Sequence, residues 1–152
     1  MTRSTSPTRL LIAFVAGFLA VLLFHQSMLA LLHAVSFTPR SPYPTMPTQP
    51  FGVPQIWSLA FWGGVWGIVF ALLAPYFGQG VRYWIAVLLF GALGPTLVSW
   101  FVVLPLKGQP LAGGWQPTAM VTGLLVNAAW GLGTALLLQT LLGRLIANRS
   151  RI

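Results

Sequence analysis

The sequence predicts an all-α integral membrane protein: a four-transmembrane-helix bundle built of two parallel helical-hairpin repeats, with both termini cytoplasmic. Three observations predict it. The chain is 57% hydrophobic and 5% charged, whereas a soluble domain carries about 25% charged residues. Four apolar runs, each long enough to cross a hydrocarbon core, follow one another along the 152 residues. Proline and glycine collect between the runs, where the chain must turn. One membrane domain, 1–152, accounts for the whole sequence.

The first helix is expected over about Leu10–Val35, behind Arg3 and Arg9. A basic start before an apolar run also opens a signal peptide, but this run outlasts the usual apolar core of about 7–15 residues. A cleavage site after Ala34 would place Leu32 where a small residue belongs, so a retained helix is expected. Ala13, Gly17, Ala20, Ser27 and Ala34 recur near heptad spacing, a stripe that lets another helix approach closely.

Ser36 to Gln55 is a proline-rich outer loop with Pro39, Pro42, Pro44, Pro47, Pro50 and Pro54. Missing amide donors exclude a helix or a central strand and favour short polyproline pieces and turns. It reads as a lid across the bundle, anchored by Tyr43, Met46 and Phe51, or as a docking segment for a partner.

The second helix is expected over about Ile56–Ala74, lined by Trp57, Trp62 and Trp66. Ala60, Gly64, Gly67, Ala71 and Ala74 form a small-residue seam, and Gly63 with Gly67 gives the small-xxx-small pattern of close helix pairs. After the turn Pro75–Gly80, a third helix is expected over about Tyr83–Leu104, kinked at Pro95 and ended by Pro105. A Gly/Pro loop carrying Lys107 and Trp115 leads to the fourth helix, about Thr118–Leu145.

Basic residues set the orientation. Arg3, Arg9, Arg82, Arg144, Arg149 and Arg151 fall on the side of the termini, and Arg40 and Lys107 on the other. This asymmetry places both termini in the cytoplasm. The glycosylation-type triplet Asn148-Arg149-Ser150 would then never meet the glycosylation machinery.

The hairpins read as a repeat. Ala20–Phe24 recurs as Ala86–Phe90, 66 positions on, and Pro39 recurs as Pro105. At an offset of 64, Trp66-Gly67 and Ala71-Leu72-Leu73 recur as Trp130-Gly131 and Ala135-Leu136-Leu137, with Ala128 in the place of Gly64. Gly63, Gly64, Gly67, Ala71, Ala128, Gly131 and Ala135 are therefore the expected packing residues. Gly67 and Gly131 are expected where backbones touch.

Counting from helix ends, His25, Trp66, Thr96 and Asn127 fall in one layer about 13–15 Å below the outer surface. Gln26 adjoins His25. Polar side chains in hydrocarbon seek one another, so this set is expected to form either a satisfied hydrogen-bond cluster or a small-solute site. The repeat sets Gly91 opposite His25, leaving room for an imidazole that reaches Asn127 or Thr96. His33 belongs at the outer interface.

Composition excludes much chemistry. Without Asp, Glu or Cys, carboxylate dyads, acidic metal sites, thiolate clusters and thiol nucleophiles are absent. His25 and His33 are eight apart on one helix, about 12 Å in rise, too far for one iron; only a symmetric dimer could pair two copies of His25. Ser36 with His33 lacks an orienting acid. No enzyme, cofactor or metal is expected. The +8 charge is assigned to anionic headgroups at the cytoplasmic face rather than to nucleic acid.

In kind the chain resembles small four-span bacterial inner-membrane proteins, a likeness that transfers no residue role. It implies a multi-pass inner-membrane protein. Two functions fit: a non-enzymatic protein acting through helix packing, as an assembly partner or homo-oligomer, or a minimal transporter or channel for a small neutral or anionic solute at the His25/Trp66/Asn127 layer.

Overall fold

A computed structural model describes residues 6–149, with side chains through Leu145. Arg3, Arg151 and the side chain of Arg149 lie outside that description. Four helices are long and apolar enough to cross a membrane: α1 (Pro7–Ala34), α2 (Gln55–Tyr76), α3 (Val81–Leu106) and α4, whose apolar span is Pro117–Leu145. Leu23, Leu31, Trp57, Trp62, Leu89 and Leu93 are exposed on their outer faces, as side chains solvated by lipid would be.

The helix ends follow capping chemistry more closely than hydropathy. α1 begins at Pro7, three residues before the apolar run, because Ser6 Oγ accepts the Arg9 amide at 3.3 Å and proline suits the first helical position. Arg9 is therefore inside the helix. At the other end Ser36 turns to φ 57° and stops it. The first amides of α2 are satisfied by the loop before it, Gln55 N–H by Met46 O and Ile56 N–H by Pro44 O, both at 2.9 Å.

The proline-rich segment holds no central strand among the described residues but does contain a minimal antiparallel pair, β1 (Pro47–Thr48) with β2 (Val53–Pro54). Proline is tolerated because Pro47 faces Pro54 at the rim of a two-stranded ladder, where no further strand needs the missing donor.

Two helices contain a π-helical turn, Val21–His25 in α1 and Ser99–Val103 in α3. The turn in α1 explains a departure from the expected stripe. Ala13, Gly17 and Ala20 are buried, but Ser27 and Ala34 are exposed, and Gln26, Leu29 and Leu32 face inward instead. A π turn takes up one extra residue, so the inward face beyond it falls one position later than a straight helix would place it. In α3 the π turn lets the helix run through Pro105 to Leu106, because Leu104 N–H already bonds to Ser99 O and the regular ladder is interrupted there.

α1 packs against α2 and α4, and α3 packs against α4. α2 and α3 meet chiefly through rings, with Phe90 edge-on to Trp66 and Phe70 at 6.0 and 5.8 Å. The core is stacked in three parts. Ala13, Ala16, Phe70, Ala71, Val87, Ala135 and Leu138 fill the end bearing the termini. Ala20, Val21, Ile56, Ala60 and Trp130 fill the middle, and Leu29, Leu32 and Val126 the loop end.

Both hairpins close on glycine. A Cβ at Gly67 would overlap the Ala13 carbonyl oxygen and lie 3.0 Å from Gly17 Cα. A Cβ at Gly131 would lie 2.8 Å from Gly91 Cα and 3.0 Å from the Val87 carbonyl oxygen. Gly63 meets Val21 and the Gly17 carbonyl, and Gly64 faces the Phe14 ring. Ala71 and Ala135 are buried, whereas Ala128 is half-buried outside the core clusters. Within these contacts Gly91 stands where Gly17 stands in the first hairpin. The 66-residue alignment would instead have set it opposite His25.

Candidate polar site

The polar residues separate into two groups. Thr96 on α3 and Asn127 on α4 face each other, with Asn127 Nδ2 donating to Thr96 Oγ1 at 2.9 Å. The Thr96 hydroxyl donates onward to the Gly123 carbonyl at 3.4 Å. Each partner thus meets part of the other's hydrogen-bonding capacity between two packed helices.

His25 and Gln26 form the second group, both buried. Gln26 Nε2 lies 3.2 Å from His25 Nδ1. The other end of the Gln26 amide is taken by the proline-rich loop, because the Tyr43 backbone N–H donates to Gln26 Oε1 at 2.7 Å. The Tyr43 hydroxyl donates to the Leu22 carbonyl at 2.9 Å, inside the π turn. A π turn carries backbone groups out of the regular ladder, and here one of its carbonyls takes a loop hydroxyl. Arg40 lies within electrostatic reach of His25. Of the expected loop anchors Tyr43 engages the bundle, while Met46 and Phe51 are 72% and 87% exposed.

Trp66 joins neither group. It adjoins Gly67 and lies about one turn after Gly63, glycines whose backbones meet Gly17 and Ala13, and it packs on Phe90 of α3. His25 lies eight residues further along α1 than Gly17, about 12 Å in rise. The register of α1 on α2 carries His25 to the first turn of α2, so α1 projects roughly two turns past the point where α2 starts. Depth counted from helix ends assumed that neighbouring helices end together; these do not.

His33 reaches the Thr38 carbonyl at 3.3 Å from an exposed position. The repeat alignment marked Trp130 only as the counterpart of Trp66, yet Trp130 is the residue at the bundle centre. It is 2% exposed, and its Nε1 donates to the Gly17 carbonyl at 3.0 Å. The signal for it was its place beside Gly131 in the fourth-helix seam.

Chemically, this arrangement offers amides, hydroxyls and one imidazole, largely engaged with each other and with backbone. No protein-family model, curated protein or solved structure matches the chain.

Proposed function

We propose that this is a non-enzymatic protein of the bacterial inner membrane that acts through helix packing, as an assembly partner or a small homo-oligomer. The observation that carries the reading is the closed bundle centre. Trp130 fills it and bonds to Gly17, while glycine backbones bring α1 onto α2 and α3 onto α4. The polar side chains meet in two separate sets, each bonded within itself or to the loop, instead of converging on one water-filled layer. A conduit at the His25/Trp66/Asn127 layer would need those side chains to face a common space.

The same contacts support a duplicated hairpin. Gly91 and Gly131 follow Gly17 and Gly67 by 74 and 64 positions, and the two glycine pairs touch in the same way. The excess of arginine at the end bearing the termini supports a cytoplasmic placement for that end, in contact with anionic headgroups.

Native mass spectrometry from bilayer discs, run beside solute flux in proteoliposomes, tests the reading. An oligomer or a co-purifying membrane protein, with flux at the level of empty liposomes, is expected. Saturable flux that His25→Leu or Asn127→Leu removes would overturn it in favour of a transporter.

A further inference from the structure

A cavity of about 560 Å³ opens at the end bearing the termini. It lies between the start of α1, the turn joining α2 to α3, the start of α3, and α4. Arg9, Gln79, Tyr83, Trp84 and Gln139 are among its walls. Arg9 is poorly satisfied there. Among the described residues its Nε is buried with no hydrogen-bond partner. Nη2 makes a single long bond, 3.4 Å, to the Ala71 carbonyl. The chain contains no aspartate or glutamate, so no side chain of this protein can neutralise the guanidinium. A half-buried cation without a counter-charge is unfavourable unless something from outside supplies one.

Beside the apolar Ala74, Pro75, Leu138 and Leu142, the walls carry groups that suit an anion. Gln79, Gln139, Tyr83 and Trp84 each carry an N–H or O–H donor. The N-terminus of α3 borders the cavity at Gly80, and no side chain caps it. Its first amides and the positive end of the helix dipole add to the field of Arg9. The cavity falls at the end of the membrane spans, where lipid phosphates lie, and Tyr83 and Trp84 are the residue types that settle at that depth.

We propose that this cavity binds a phosphate group, gripped by the Arg9 guanidinium and framed by the amide, phenol and indole donors around it. A guanidinium fork matches two phosphate oxygens at once. The volume is that of a small-molecule site and exceeds a bare phosphate, leaving room for a headgroup such as phosphoglycerol. The phosphate comes either from a phospholipid or from a free anion in solution. The proposal stands independently of the assembly role.

The full chain, delipidated in neutral detergent, distinguishes the sources. Binding of phosphatidylglycerol and of diacylglycerol, which lacks the phosphate, is measured by native mass spectrometry. Thermal melting is followed in parallel against inorganic phosphate. For a lipid source, the wild type is expected to bind phosphatidylglycerol about tenfold more tightly than diacylglycerol, the factor a charge-assisted bond supplies. Arg9→Gln is expected to lose that preference, and Lys107→Gln at the opposite end to keep it. For a free anion, inorganic phosphate raises the melting temperature of the wild type but not of Arg9→Gln, without a lipid preference. Gln139→Leu, on an exposed part of the wall, reads the same site if Arg9→Gln does not fold, and is expected to weaken binding about threefold. The proposal is overturned if the wild type shows neither a phosphatidylglycerol preference nor a phosphate-dependent shift. It is equally overturned if Arg9→Gln, folded, or Gln139→Leu keeps wild-type binding.

Discussion

Trp130 Nε1 donates to the backbone carbonyl of Gly17, 3.0 Å away and 113 positions earlier in the chain. The bond ties the last helix to the first at the residue where α1 also touches Gly63 and Gly67. It is hydrogen bond and space-filler together, and two substitutions separate the roles. Trp130→Phe keeps most of the ring and is expected to lower stability by about 1–2 kcal/mol. Trp130→Ala also empties the centre and is expected to lower it by about 3–5 kcal/mol. Unfolding in mixed detergent micelles measures both; equal losses would show that the ring contributes nothing beyond the bond.

Gly67 and Gly91 tolerate no side chain without a backbone shift. A Cβ at Gly91 would lie 2.7 Å from the Asn127 carbonyl oxygen and 2.9 Å from Gly131 Cα. Gly67→Ala and Gly91→Ala are each expected to lower stability by about 1–3 kcal/mol, as overpacking does. Gly143 in α4 meets nothing within 4 Å among the described residues. Gly143→Ala is therefore expected to be neutral or to gain up to about 1 kcal/mol from helix propensity. Gly80 would be a poor comparison, because its φ of 59° makes any side chain there strained. Melting temperatures that fall equally for Gly67→Ala and Gly143→Ala would remove the close contact from the account.

The proline-rich loop is held to α1 by Gln26 and Tyr43. Gln26→Leu leaves the Tyr43 amide without its partner, so amide exchange at Tyr43 is expected to speed by about 10-fold or more, the factor that a lost hydrogen bond of about 1.5 kcal/mol gives. Tyr43→Phe removes only the bond to Leu22 and should leave that amide protected. Hydrogen-exchange mass spectrometry over 36–54 compares them. Unchanged exchange in Gln26→Leu would mean that the loop is held elsewhere.

Orientation is read by labelling single cysteines introduced at Ser4, Ser41, Gln109 and Ser150, of which the first and last lie outside the described residues. Ser41 and Gln109 are expected to react with a membrane-impermeant reagent from the periplasm, and Ser4 and Ser150 only after the membrane is opened. Periplasmic labelling of Ser4 or Ser150 would reverse the orientation.

The four helices were legible because each apolar run is about long enough to span the bilayer core and carries charge only near its ends. Their ends were less so: Ser6 and Pro7 start α1 by capping, which hydropathy does not register. The α2 seam was legible too, because Gly63, Gly64 and Gly67 recur at helical spacing. The polar site was not. Its registry depends on where α1 stands against α2, and no local pattern states that α1 overshoots its neighbour. The π turn at Val21–His25 left no proline or glycine to mark it, so Ser27 was expected inside and Gln26 found its partner in the loop. Letter matching aligned Gly91 with His25, whereas contact geometry aligns it with Gly17. Residue identity in apolar helices is a weaker guide than the few places where backbones can touch.

The widened turn also decides how α1 tolerates changes of length. It holds one residue beyond what an ordinary helix of the same rise requires. Deleting a single residue within Val21–His25 would therefore leave a regular helix whose later faces keep their present directions. The same deletion at Met28 or Ala30 would turn everything after it by about 100°, carrying Leu32 toward the hydrocarbon and a neighbour into its place. Tolerance of a lost residue along α1 is thus a matter of position relative to that turn, with one permissive window of five residues bounded by helix in which every residue counts toward the phase.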